Sequence, residues 1–166
     1  MELTTLKELY VNELKDLYSA EQQILKALPK MIDGATEPKL KSSFESHLKQ
    51  TEGQVERLQK IFDELGEKPT GKLCKGMQGV LAEGAEALEE DATDEVRDAS
   101  LISAAQRVEH YEIAGYGCAR TYAEELGESK QVKLLQETLD EEADTDKKLT
   151  KLAVSVINVK AMAGAA

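Results

Sequence analysis

Glu21, His47, Glu109, Glu112, Glu142 and Asp146 are the side chains of this 166-residue chain whose types and spacing could do chemistry. Each lies in a segment with helical apolar periodicity, and placing residues at 100° steps shows where each one points. Glu21, Glu112 and Glu142 fall within about 30° of the centre of an apolar stripe, His47 and Asp146 about 50° away, and Glu109 about 85° to one side. Asp16, His110 and Asp144 point away from their stripes. An unpaired carboxylate buried in a core costs several kcal/mol or takes up a proton. Several at one depth repel each other as well. Two divalent ions would carry four positive charges against about four carboxylates, and oxygen donors with an imidazole suit iron or manganese better than thiolate-seeking metals. Glu109 and Glu112 stand about 4.5 Å apart along a helix axis, so one could bridge two ions while the other caps one.

That chemistry requires helices that bring the groups level. The first predicted helix, residues 4–32, opens on the capping box Thr5-Leu6-Lys7-Glu8 and repeats Leu6, Tyr10, Leu14, Leu17, Ile24 and Leu28, with a kink expected near Pro29. The second, residues 36–65, follows Gly34 and carries Phe44, Leu48, Val55, Leu58, Phe62 and Leu65 before Gly66. The third, residues 98–126, and the fourth, residues 130–159, meet at a tight turn at Gly127. Gly115 on the third stripe costs about 1 kcal/mol against Ala in a helix, which implies a close approach by a neighbour. Antiparallel pairs joined near residues 34 and 128 set Glu21 opposite His47, and Glu112 opposite residue 144, between Glu142 and Asp146.

The connection 66–97, with Gly and Pro early and a short helical pattern near 77–90, is long enough to return along helices of about 45 Å. Two tight hairpins joined by one such crossover make the all-α, ferritin-like four-helix bundle, the expected fold of a single domain spanning 1–166. The competing topology is an up-down-up-down bundle with a loose middle loop. The tail AMAGAA is expected to fray.

Composition narrows the function. Charged residues are 32% of the chain, aromatics 4% and Trp is absent, a profile of long amphipathic helices. The formal charge of -11 repels nucleic acid and anionic lipid. No nucleic-acid or membrane partner is expected. Cys74 and Cys118 lie far apart without a Cys-x-x-Cys, so neither a disulfide framework nor a zinc cluster is suggested. The absence of any apolar run of about eighteen residues leaves neither signal peptide nor membrane span, and a reduced, cytoplasmic setting fits.

Other polar groups have ordinary readings. Thr51, on the second stripe, and Thr145 are expected to bond back to their own helix carbonyls. Glu52 flanks the same stripe as a further candidate ligand. Tyr18 and Tyr116 read as core side chains with a polar tip, and the acidic run EGAEALEEDATDE as a solvated face.

The segments LKDLYSAEQQILKALPKM, FESHLKQTEGQVERL, RVEHYEIAGYG and LLQETLDEEADTDKKL resemble, in order and over nearly the whole chain, the YciE/YciF family of bacterial ferritin-like stress proteins. The resemblance implies a ferritin-like bundle, a homodimer and kinship with rubrerythrin, whose bundle holds a di-iron site. Glu21 matches that pattern's first-helix Glu, and Glu109 with Glu112 its Glu-x-x-Glu. The Glu-x-x-His expected on the second and fourth helices is absent, since the fourth reads Glu142, Ala143, Asp144, Thr145. Ferroxidase-type turnover is therefore in doubt, and no electron donor is identified. The functional expectation is a stress protein with a dinuclear iron or manganese site and oxygen or peroxide handling. The alternative is a non-catalytic helical stress protein acting by self-association.

Overall fold

The computed structural model describes residues 3–164. Its elements are α1 (Leu6–Gly34), α2 (Pro38–Leu65), α3 (Lys75–Glu89), α4 (Asp94–Glu125), α5 (Ser129–Leu152), a π turn (Ala153–Ile157) and α6 (Asn158–Ala163). The capping box forms, with the Glu8 amide donating to Thr5 Oγ1 at 3.2 Å and the Thr5 amide donating back to Glu8 Oε2 at 2.9 Å. Pro29 lies inside α1 without ending it. Pro38 starts α2, where its missing N–H costs nothing. Gly66 closes α2 at φ 65°, a left-handed conformation that glycine adopts freely.

Two expected boundaries move. α4 begins at Asp94 rather than 98, because Asp94 and Glu95 sit in its first turn, where acidic groups favour the positive end of the helix dipole. The end of the acidic run thus forms the first turn of α4, and the acidic side chains of the run are exposed, as a solvated face requires. The predicted fourth helix divides at the π turn, where the Ser155 hydroxyl donates to the Lys151 carbonyl at 2.6 Å and competes with the backbone bond there. Within the tail AMAGAA, α6 runs on to Ala163, and residues 165–166 lie outside the described part of the chain.

Cross-helix contacts give the topology. Thr36 and Glu37 donate their amides to the buried Asp98 carboxylate at 2.9 and 2.8 Å, and Leu17 packs at Gly115, so α1 and α4 are antiparallel. Thr145 bonds Gln50 at 3.4 Å and Arg57 bonds Thr138 at 3.2 Å, so α2 and α5 are antiparallel too. α2 and α4 then run the same way, which only the long crossover permits. The fold is the ferritin-like bundle, and the up-down-up-down alternative is excluded. α3, inside the crossover, lies against α1 and α4.

The core divides by height. One apolar cluster gathers Met31, Leu40, Phe44, Leu101 and Leu149 toward the α1–α2 turn. A second gathers Tyr10, Leu14, Leu58, Phe62, Ala119 and Leu135 toward the α4–α5 turn. Between them lies a layer of buried polar side chains. Gly115 borders that layer, and a Cβ there would stand 2.8 Å from Leu17 Cδ2. Gly115→Ala gains about 1 kcal/mol of helix propensity but overpacks a fully buried leucine, at about 1–3 kcal/mol. A net loss of about 1 kcal/mol is expected in urea titration.

Candidate metal centre

Four helices deliver the polar layer: α1 brings Glu21, α2 His47, α4 Glu109 and Glu112, and α5 Glu142, none more than 3% exposed. His47, Glu109, Glu112 and Glu142 each place a potential ligand atom within 4.8 Å of the others. His47 Nε2 lies 3.4 Å from Glu109 Oε1. Glu21 borders this set, its Oε1 accepting a short hydrogen bond from the Tyr116 hydroxyl.

The set is poor in partners. Glu21 Oε2, both His47 ring nitrogens, Glu109 Oε2, both Glu112 oxygens and Glu142 Oε2 are buried without a hydrogen bond. No lysine or arginine among the described residues forms an ion pair with any of the four glutamates. Nearly every buried polar atom in a folded protein finds a partner. Here the unpartnered atoms converge.

Electrostatics follow from that geometry. Burial, reinforced by the Glu142 charge, pushes Glu21 up to about 8 against the opposing Tyr116 hydrogen bond. Burial raises Glu109 and Glu112 well above the usual carboxylate range, and the neighbouring Glu142 pushes both the same way. Burial lowers His47, which favours the neutral imidazole with a lone pair free to ligate. Proton-rich acids and a neutral imidazole describe the cluster without an ion. Oxygen and nitrogen donors of this kind fit hard or borderline divalent metals, whose binding would release the retained protons.

Asp146 is not brought into the cluster. It turns to the flank of α4, 3.2 Å from His110 Nε2 and accepting from Gln106 Nε2 at 2.8 Å. An offset of about 50° is enough for a short side chain to leave the core. His110, which points outward as expected, takes Asp146 with it. Glu52 is exposed, and Thr51 donates to the His47 carbonyl at 3.0 Å as expected. Thr145 does otherwise, reaching across to Gln50.

Sequence reasoning missed a supporting group. The Gln54 amide donates a short hydrogen bond to Glu142 Oε1 and a 3.1 Å bond to Glu141 Oε2. Arg57 donates to both Glu141 oxygens at 2.8 and 2.7 Å. Arg57, Glu141 and Gln54 thus hold Glu142 in place. The signal was present, because 47, 51, 54 and 58 continue one helical stripe on which Gln54 follows His47 and Thr51 as a third polar residue before Leu58. Thr51 and Gln54 also stand at Glu-x-x-His spacing on α2.

Comparison with known proteins gives consistent results. The model of a family described as a domain of unknown function, DUF892, matches residues 5–162. Protein YciF of Escherichia coli (strain K12) is 45% identical over 162 residues, 97% of this chain and 98% of that protein. The crystal structure of the E. coli stress protein YciF superposes with a TM-score of 0.90 at 44% identity, covering 94% of this chain and 99% of that one. The structure of YcfI from Rhodopseudomonas palustris, provisionally called a structural protein, gives a TM-score of 0.87 at 44% identity, covering 90% and 95%. A protein from Xanthomonas campestris pv. campestris shares the fold at a TM-score of 0.77 and 18% identity, covering 98% of this chain and 100% of that chain.

Proposed function

The chain belongs to the DUF892 family, and on that premise we propose that it is a bacterial stress protein whose bundle core holds a dinuclear iron or manganese centre. The observation that carries this reading is the convergence of unpartnered, deeply buried donor atoms from four helices. Glu21, His47, Glu109, Glu112 and Glu142 would hold the ions. When bound, such a pair supplies electron exchange with dioxygen or peroxide.

The chain's own groups have definable parts in this. Tyr116 fixes one Glu21 oxygen by hydrogen bonding and leaves the other unpartnered. Gln54 fixes one Glu142 oxygen in the same way, backed by Arg57 through Glu141. Partners of this outer kind orient ligands and tune affinity. The apolar clusters above and below exclude water, which strengthens every charge interaction between them.

Elemental analysis of protein produced with iron and manganese supplied tests the reading. At or near two ions per chain are expected, falling at least tenfold in Glu112→Ala, because that change removes two unpartnered oxygens at once. Sub-stoichiometric metal that the substitution does not alter would sink it.

A cytoplasmic homodimer completes the proposal. No described helix is long and apolar enough to cross a membrane. Val154, Val159 and Met162 are exposed apolar side chains near the end of the bundle that a second copy would cover. One observation favours the non-catalytic reading: Thr51 with Gln54, and Thr145 after Glu142, stand where the rubrerythrin-like pattern has ligands. On that reading chelation leaves both melting temperature and oligomeric state unchanged.

A further inference from the structure

Two neighbouring cavities lie beneath α3. The larger is an apolar groove between α1 and α3 of about 310 Å³. The smaller, about 10 Å³, lies deeper and ends against His47 and Glu109. Both are lined by Ala27, Met31, Leu81 and Val108. These four side chains are the shared wall between a groove open at the surface and the cavity that ends at the buried cluster.

We infer that the α1–α3 groove and the cavity below it form a single entry path for a small uncharged apolar molecule of the dioxygen class, delivered to the His47–Glu109 side of the cluster. Size sets the first limit. About 10 Å³ is close to the least space that holds one water-sized molecule. Chemistry sets the second. Apart from His47 and Glu109 the inner cavity is walled by apolar side chains, so a water finds partners only at that end, at the low limit of the two to four an ordered water needs, and none along the rest of the cavity. A hydrated ion would have to shed its shell among those walls, at a large desolvation cost. An apolar diatomic gives up no hydrogen bonds by entering.

The crossover thereby gains a role. α3 roofs the groove, and its small face sits close over α4, where a Cβ on Gly84 would stand 3.4 Å from Ala104 Cβ. Opposite it, Ala27 on α1 supplies a methyl group where a larger side chain would close the neck of the path between groove and cavity. The path exists whatever the cluster holds, while its use in oxygen chemistry rests on the metal-centre reading.

Xenon, an apolar probe seen by anomalous scattering, tests the path directly in pressurised crystals of metal-free protein. A peak is expected at the neck between Ala27 and Leu81, with occupancy lowered at least fivefold in Ala27→Phe and in Leu81→Phe. The second variant changes α3 alone and decides the matter should a phenylalanine on α1 disturb folding. Xenon confined to the outer groove, or occupancy at the neck that neither variant changes, would overturn the path. In protein loaded anaerobically with iron(II), whose own oxidation supplies the electrons, the same variants should slow dioxygen consumption at least fivefold with metal content unchanged. Consumption that stays at the wild-type rate in a blocked neck also refutes the path. Failure to bind metal refutes the other reading and leaves the xenon result standing.

Discussion

Metal-free protein is expected to become less stable as the pH rises from 6.5 to 8, and divalent iron or manganese to reverse that trend. Burial pushes Glu21 up to about 8 in the folded chain against an ordinary 4.5, and burial among like charges also raises Glu109 and Glu112 well above the usual carboxylate range. Across this window the unfolded chain has shed protons that the folded chain retains, so stability falls with pH. The contribution of these groups is fully present below about 4.5 and is lost as the pH passes each folded value. The slope is about 1.4 kcal/mol per pH unit for each proton retained. His47 has the opposite sign, since burial lowers it, but its unfolded form is mostly deprotonated above about 6.5. It therefore opposes the trend mainly at lower pH.

On the proposed reading metal would change the sign, because it would bind the deprotonated ligands and displace the retained protons. At a free concentration of one hundred times Kd the folded state gains about 2.7 kcal/mol. For a chain of this size that is a rise in Tm of roughly 5–11 °C. The check is a set of urea titrations and thermal melts at pH 6.5, 7.25 and 8, with chelator and with metal. A metal-free protein whose stability is flat over that range would show that the inner acids are not holding protons.

The fold was legible where turns are short and periodicity is simple. Gly66 and Gly127 end helices at positive φ, and the length of 66–97 leaves room for a crossover. The π turn was not legible, because a single serine bonding back to Lys151 carries no distinctive pattern. At the candidate site, the helical wheel turned Glu21, Glu112 and Glu142 inward, and all three are buried. It underrated Glu109, placed far off the stripe yet 1% exposed. The cause is α3. A wheel assumes one buried stripe, whereas α4 packs against α1, α3 and α5, so its buried arc is wide enough to take in Asp98, Ile102 and Glu109 as well. Gln54 was missed for a different reason. Attention to acids and histidines passes over an amide, and only the contact with Glu142 reveals what it does.

Glu112→Gln should act in opposite directions on the two states of the protein, making it the sharpest separation of metal ligation from a merely structural acid. Both Glu112 oxygens are buried and unpartnered, and Glu21, Glu109 and Glu142 all press on its charge. Glutamine keeps the shape, abolishes the titration and adds an amide that can donate to those carboxylates. In metal-free protein at pH 8 the substitution should therefore stabilise by about 1–2 kcal/mol, since the buried carboxyl must there take up a proton that the unfolded chain has shed, a cost that glutamine does not carry. It should also flatten the fall in stability between pH 6.5 and 8. With metal present the effect inverts, because a neutral amide is a weak ligand for a hard cation. A loss of at least about a hundredfold in affinity, or 2.7 kcal/mol, is expected. Such a crossing of signs is what a site that gives up stability for function produces. Equal destabilisation of the metal-free and metal-supplied protein would instead assign Glu112 a packing role alone.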